Sequence, residues 1–311
     1  MSRGRISRVN RREFIALAAA APLAARALVA AAASAPWALV TCDAESRLAV
    51  VDLEGFRVVR SIATLPDPRS VELVGTRAVV CHTAAGAVSI VGQHGVEHVL
   101  RDFAEPRYTA AHPDGRHAFV SDSGRSGVVA IDVLRGTTLG RVKLPGWARH
   151  LTIDATGRRL WVGLGSASAH VAVIDLPALR HSSTVTPGFG AHDVGIAPSG
   201  ELWITAGDAR TLAVGHVVHE ADAAPQHVTF GDNVAYVTSG AAGVLRVLTL
   251  DGRLVRTTPI PVGSYNVQYG FGRVLTASLA HGTLTVLDRH GVDLRRLRVA
   301  RSCHDACFLP R

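Results

Sequence analysis

From about residue 36 onward, apolar residues come in short runs that close on small or polar side chains. Seven of these runs share one form: Ala38-Leu39-Val40-Thr41, Ala78-Val79-Val80-Cys81, Ala118-Phe119-Val120-Ser121, Leu160-Trp161-Val162-Gly163, Leu202-Trp203-Ile204-Thr205, Ala235-Tyr236-Val237-Thr238 and Val274-Leu275-Thr276-Ala277. Runs this short, rich in β-branched residues and bounded by turn formers, predict strands and not helices. A second set follows the first, and four of its members end on aspartate, at Asp52, Asp132, Asp175 and Asp288. A third set begins at Arg69, Arg107, Arg149, His192, Gln226, Tyr265 and His304, at intervals of 38, 42, 43, 34, 39 and 39 residues.

Turns such as Pro113-Asp114-Gly115 and Pro198-Ser199-Gly200 reverse the chain too tightly for crossover helices, so consecutive strands should pair as antiparallel hairpins. A unit of about 40 residues with four strands is the length of one propeller blade. Seven copies predict an all-β fold over residues 36–311, a seven-bladed β-propeller with four-stranded antiparallel blades. The chain also begins this region on a first-set strand at Trp37 and reaches its end on a third-set strand, Cys303 to Leu309, with no neighbour of its own. That C-terminal strand is expected to complete the first blade, which removes the open edges of the ring.

Residues 1–35 have a different pattern. A basic start is followed by Asn10-Arg11-Arg12-Glu13-Phe14-Ile15-Ala16 and an alanine-rich stretch to Ala35, which resembles a twin-arginine (Tat) signal peptide. It departs from the usual form by Asn10 for serine, Ile15 for leucine and Ala16 for lysine. Only the residues from Phe14 to Ala25 separate Glu13 from Arg26, whereas a spanning helix needs about 20, so contact with the membrane is expected only during export. Cleavage is expected between Ala31 and Ala35. The resemblance implies passage in the folded state to the periplasm or outside the cell.

The net charge of +8 would suggest nucleic acid as a partner, but Arg3, Arg5, Arg8, Arg11, Arg12 and Arg26 all lie in the leader. Without them and Glu13, 27 bases face 24 acids, too weak an excess to hold many phosphates. A closed ring needs no partner to cover its edges, and a monomer is expected, although the rim could serve a protein partner.

The Tyr/Trp-Val-Thr-like strand followed by a Val-Ile-Asp strand resembles the YVTN repeat family, over essentially all of residues 37–311. The resemblance implies the fold and says little about chemistry, because such propellers include surface-layer proteins, periplasmic proteins, lactonases and redox enzymes. A lactonase-like hydrolase would cast His192, Arg149 and Asp193 or Glu72 around an ester ring. An envelope scaffold would use the rim and need no converging polar residues.

Catalytic motifs are otherwise lacking: no Gly-x-Ser-x-Gly, phosphate loop, Cys-x-x-Cys-His or His-Glu-x-x-His occurs. Of Cys42, Cys81, Cys303 and Cys307, antiparallel closure brings Cys42 toward Cys303 or Cys307, as a disulfide or as free thiols. With His82 and His304 the thiols would make a site of the copper or zinc type.

The sharper candidate is the channel mouth, where the inner strands of all blades converge. Arg69, Arg107, Arg149, His192, Gln226, Tyr265 and His304 form one ring, with Ser70, Tyr108, His150, Asp193, His227, Asn266 and Asp305 directly after it. Strand alternation would send the two sets to opposite faces. If the first faces inward, the arginines favour a small anionic ligand, a carboxylate or phosphate. If the second does, His150, His227, Asp193 and Asp305 could hold a metal ion as cofactor. The bland alternative pairs the arginines with Glu72, Glu105 or Asp67.

Overall fold

Each aspartate that closes a second-set run has a mechanical task. Asp52 Oδ1 accepts the amide of Glu54, Asp132 Oδ1 those of Leu134 and Arg135, Asp175 Oδ1 that of Ala178, and Asp288 Oδ1 those of His290 and Val292. The side chain thus satisfies amides that the turn would strand, and fixes where the strand stops. In the Pro113-Asp114-Gly115 turn, Asp114 accepts from Arg116 and His117 while Gly115 takes φ +67°, a region glycine enters without strain.

These hairpins repeat around a ring. The computed structural model describes residues 36–165 and 167–310, so the leader and its arginine pair lie outside the described residues. Among the described residues, 28 strands and two single-turn 3-10 segments, Asp43–Glu45 and Ser123–Arg125, are present. The strands form seven antiparallel four-stranded sheets, an all-β seven-bladed propeller as expected. Blades two to seven occupy residues 68–100, 106–143, 151–185, 193–220, 227–259 and 268–298. Blade one joins Trp37–Cys42, Arg47–Asp52 and Arg57–Ala63 to the closing strand Ala306–Leu309.

Closure is antiparallel, with Trp37 opposite Leu309, Ala38 opposite Phe308, Leu39 opposite Cys307 and Val40 opposite Ala306. The Thr41 amide extends the ladder to the Asp305 carbonyl at 2.9 Å. Between the sheets the core is aliphatic. Ala38, Val40 and Leu53 of blade one meet Leu275, Leu284 and Val286 of blade seven around Phe308. Trp203, fully buried, stacks edge-on against Phe230 of the next blade with centroids 5.5 Å apart.

Neighbouring blades are also tied by hydroxyls at the ends of the first-set runs. Thr205 Oγ1 donates to the Gln226 carbonyl at 2.7 Å and Thr238 Oγ1 to the Tyr265 carbonyl. Each acceptor lies at the mouth end of the next blade's inner strand. The small polar residue that closes the run therefore sets the backbone from which the mouth residues project.

All four cysteines are buried free thiols. Of the two pairings open to Cys42, the register selects Cys303, whose thiol shares a hydrogen bond with it, while Cys307 stands opposite Leu39. Burial pushes the Cys81 thiol up to about 11. The thiols do not gather with His82, whose Nδ1 bonds the Pro66 carbonyl at 3.0 Å.

Candidate functional site

The inner strands enclose a cavity of about 350 Å3, whose walls include Ser70, Glu72, Tyr108, His150, Asp193 and His227. The second set of sequence-predicted residues therefore lines the channel. The first set forms the rim above it, but the two do not separate cleanly. Strands begin at Leu151, Asp193, His227, Gln268 and Ala306, so Arg149, His192, Gln226, Tyr265 and His304 precede regular pairing. In blades two and three the register slips between Pro68 and Ser70 and between Pro106 and Thr109. Alternation holds only within a regular strand, and here it lapses where the two sets meet.

The consequence is a three-histidine cluster drawn from both sets. His150, His192 and His227 each offer a ring nitrogen, and the three atoms lie within 4.8 Å of one another. Ring centroids stand 4.1 Å apart for His150 and His227, 5.3 Å for His192 and His227, and 5.5 Å for His150 and His192. All three residues are buried.

Backbone contacts fix the rings. His150 Nδ1 is 3.0 Å from the His192 carbonyl, which can only accept, so Nδ1 carries the proton and Nε2 carries the lone pair. That Nε2 is buried and has no hydrogen-bond partner among the described residues. Burial, then the charges of His227 and Arg149, hold His150 well below the ordinary imidazole range. Burial and His227 bring His192 down to about 2. Both rings are thus neutral, as metal ligation requires. Tyr108 covers His150 with centroids 3.5 Å apart.

Asp193 and Asp305 serve mainly backbone amides. Asp193 accepts from Val194 and Val228 and sets its Oδ2 3.5 Å from His227 Nδ1. Asp305 accepts from Val71 and Ala306, and burial raises it to about 7. Glu72, on the adjacent blade, takes a 2.9 Å bond from Gln268 Nε2 across the channel. Burial, then the Asp305 charge, raise its carboxyl to about 8.

At the rim, Arg107 approaches Glu105 at 3.5 Å. Among the described residues Arg69 and Arg149 have no carboxylate within 4.0 Å. Asp67 instead accepts from the Ala84 amide, and Glu72 from Gln268. Gln226 turns its Oε1 to the Gly240 amide, Tyr265 lies against Gly240, and His304 is held down to about 3 by burial and Arg69.

Two contributors lie outside the predicted rings. Trp147 lies under Arg107 and Arg149, with guanidinium carbons 4.5 and 5.5 Å from its ring centre. Gly207, at φ +81°, packs flat against the His192 imidazole, where a Cβ would collide with the ring. The available signals were an aromatic two residues before Arg149 and a glycine two residues after the Thr205 that closes its run.

A second group, His112, Asp114 and His117, is engaged in its own turn: Asp114 Oδ2 lies 2.6 Å from His117 Nδ1 and 3.1 Å from His112 Nδ1. No protein-family model matches the chain, and no curated protein matches it in sequence. Solved structures share its fold. Hydrazine synthase from Kuenenia stuttgartiensis superposes with a TM-score of 0.72 at 16% identity, over 80% of this chain and 91% of that one. A functionally unknown protein from Desulfotomaculum acetoxidans gives 0.75 at 11% identity, over 88% and 99%. At these identities the likeness establishes the seven-bladed propeller alone.

Proposed function

We propose that the protein is an exported propeller of the YVTN type that binds a transition-metal ion at its channel mouth through His150, His192 and His227. The observation that carries this reading is the buried, unpartnered Nε2 of His150 beside two other imidazoles. An apolar or hydrogen-bonded role would not leave that lone pair unused. The contacts behind the rings suit metal ligation: His150 donates its other nitrogen to a carbonyl, and Asp193 backs His227. Ligated nitrogens at 2.0–2.1 Å from zinc stand about 3.4 Å apart, a closure of up to about 1.4 Å from the separations present. Imidazole donors suit zinc, copper, nickel or iron, and do not suit calcium or magnesium.

A second reading, a lactonase-like hydrolase, draws on one further observation: Glu72 faces the same cavity and is protonated at neutral pH, as a general acid must be. Metal binding is tested by equilibrium dialysis against zinc and cobalt with elemental analysis. One ion per chain is expected, weakened at least 100-fold in His150→Ala. Full retention in the double variant His150→Ala/His227→Ala would sink the proposal. Export is tested by fractionating cells expressing the full chain and an Arg11→Lys/Arg12→Lys variant, which should stay in the cytoplasm.

A further inference from the structure

We infer that the rim above the three histidines is an oxoanion site, in which Arg69, Arg107 and Arg149 grip a carboxylate or phosphate over Trp147. This deepens the proposed function, but it rests on the arginines and not on the metal.

Three guanidiniums share one mouth and, among the described residues, a single carboxylate pairs with them, that of Glu105, 3.5 Å from Arg107 and half exposed. The other nearby acids are engaged elsewhere: Asp67 with the Ala84 amide, Asp305 with Val71 and Ala306, Glu72 with Gln268. The Nε atoms of Arg107 and Arg149 are buried and have no acceptor among the described residues. A buried donor without a partner is costly, and more so when it is charged. Two of these unfilled donors thus belong to one rim.

The arginines are also held, not merely adjacent. Arg107 and Arg149 share the Trp147 ring, a contact that orients guanidinium planes without neutralising them. Burial and the charge of Arg69 already disfavour the protonated form of Arg107, so like charges press on one another at the rim. An oxoanion relieves all three conditions. It accepts from the vacant Nε donors, offers oxygens matched to the guanidinium fork, and separates the charges. A neutral ligand could accept from the Nε donors but would leave the like charges uncompensated.

The test is a fluorescence titration of metal-free and zinc-loaded protein with inorganic phosphate and, separately, with acetate, Trp147 serving as the reporter. A saturable, single-site change is expected, with one of the two anions binding at least fivefold tighter and so naming the class. Arg149→Met and Arg69→Met should each weaken it at least tenfold, while Arg60→Met, on an exposed strand of blade one, should not. Trp147→Phe should abolish the signal, with binding still detected by calorimetry.

Absence of saturable binding in both forms of the parent, or equal affinity in the arginine variants, would overturn the inference. Metal content measured on the same samples separates the two ideas. Anion binding by a protein that takes up no zinc would sink the metal site and leave this one standing. Zinc binding without anion binding would do the reverse.

Discussion

Replacing Glu72 by glutamine should remove a large part of the protein's sensitivity to rising pH. Glu72 lies in the channel wall, accepts from Gln268 Nε2 at 2.9 Å, and is raised from 4.5 to about 8, first by burial and then by the Asp305 charge. At pH 6 it is protonated when folded and ionised when unfolded, so the folded chain binds the additional proton. Its contribution is therefore complete below about pH 4.5, declines as pH rises toward 8, and levels off beyond. At about 1.4 kcal/mol per pH unit the decline is of order 5 kcal/mol. Glu72→Gln keeps the shape and the bond from Gln268 but cannot ionise. Between pH 5 and pH 8 the parent should therefore lose several kcal/mol more than the variant, roughly 2 °C of melting temperature for each. The remaining decline should end near pH 7, where Asp305 ionises. Thermal unfolding followed by circular dichroism from pH 5 to 9 reads this directly. Parallel curves for parent and variant would refute the buried, protonated carboxyl.

Two further outcomes follow from the geometry. Ending the chain at Ser302 removes Ala306–Leu309 and exposes the edge of Trp37–Cys42, so the truncated protein should aggregate or lose its cooperative melt; a soluble product melting with the parent would contradict closure. Gly207→Ala should cost about 1–2 kcal/mol from the φ of +81° alone and displace the His192 ring, lowering zinc affinity at least tenfold in dialysis while the β-sheet spectrum is retained; unchanged affinity would count against His192 as a ligand.

Fold and site were not equally legible. The seven first-set runs each fall within a strand, and the aspartates that end the second set cap the turns that follow, because turn chemistry is local and acts within four residues. The closing strand was legible for a similar reason: a run without a hairpin partner had to find one elsewhere. The site depended on relations that sequence order hides. Assigning His150 and His192 to opposite faces assumed pleated alternation at positions that precede the strands of their blades. The cluster forms because that assumption lapses there. Trp147 and Gly207 act on residues across a turn or across the sheet, and no periodicity marks either.

The closing strand has a mechanical consequence. Trp37 pairs with Leu309 and Val40 with Ala306, so Pro36 and Pro310 leave blade one from the same side. A load drawn across those two residues acts on the outermost pair first and parts the ladder one rung at a time, instead of shearing all the rungs together. Resistance is then set by about one pair of bonds, however much the whole strand contributes at equilibrium. A tether attached at both ends of the ring should therefore peel it open at low force, whereas the same load applied across the hairpin turns of two other blades meets intact sheets. Fusion partners or surface attachments that pull on only one of the two ends would spare the closure.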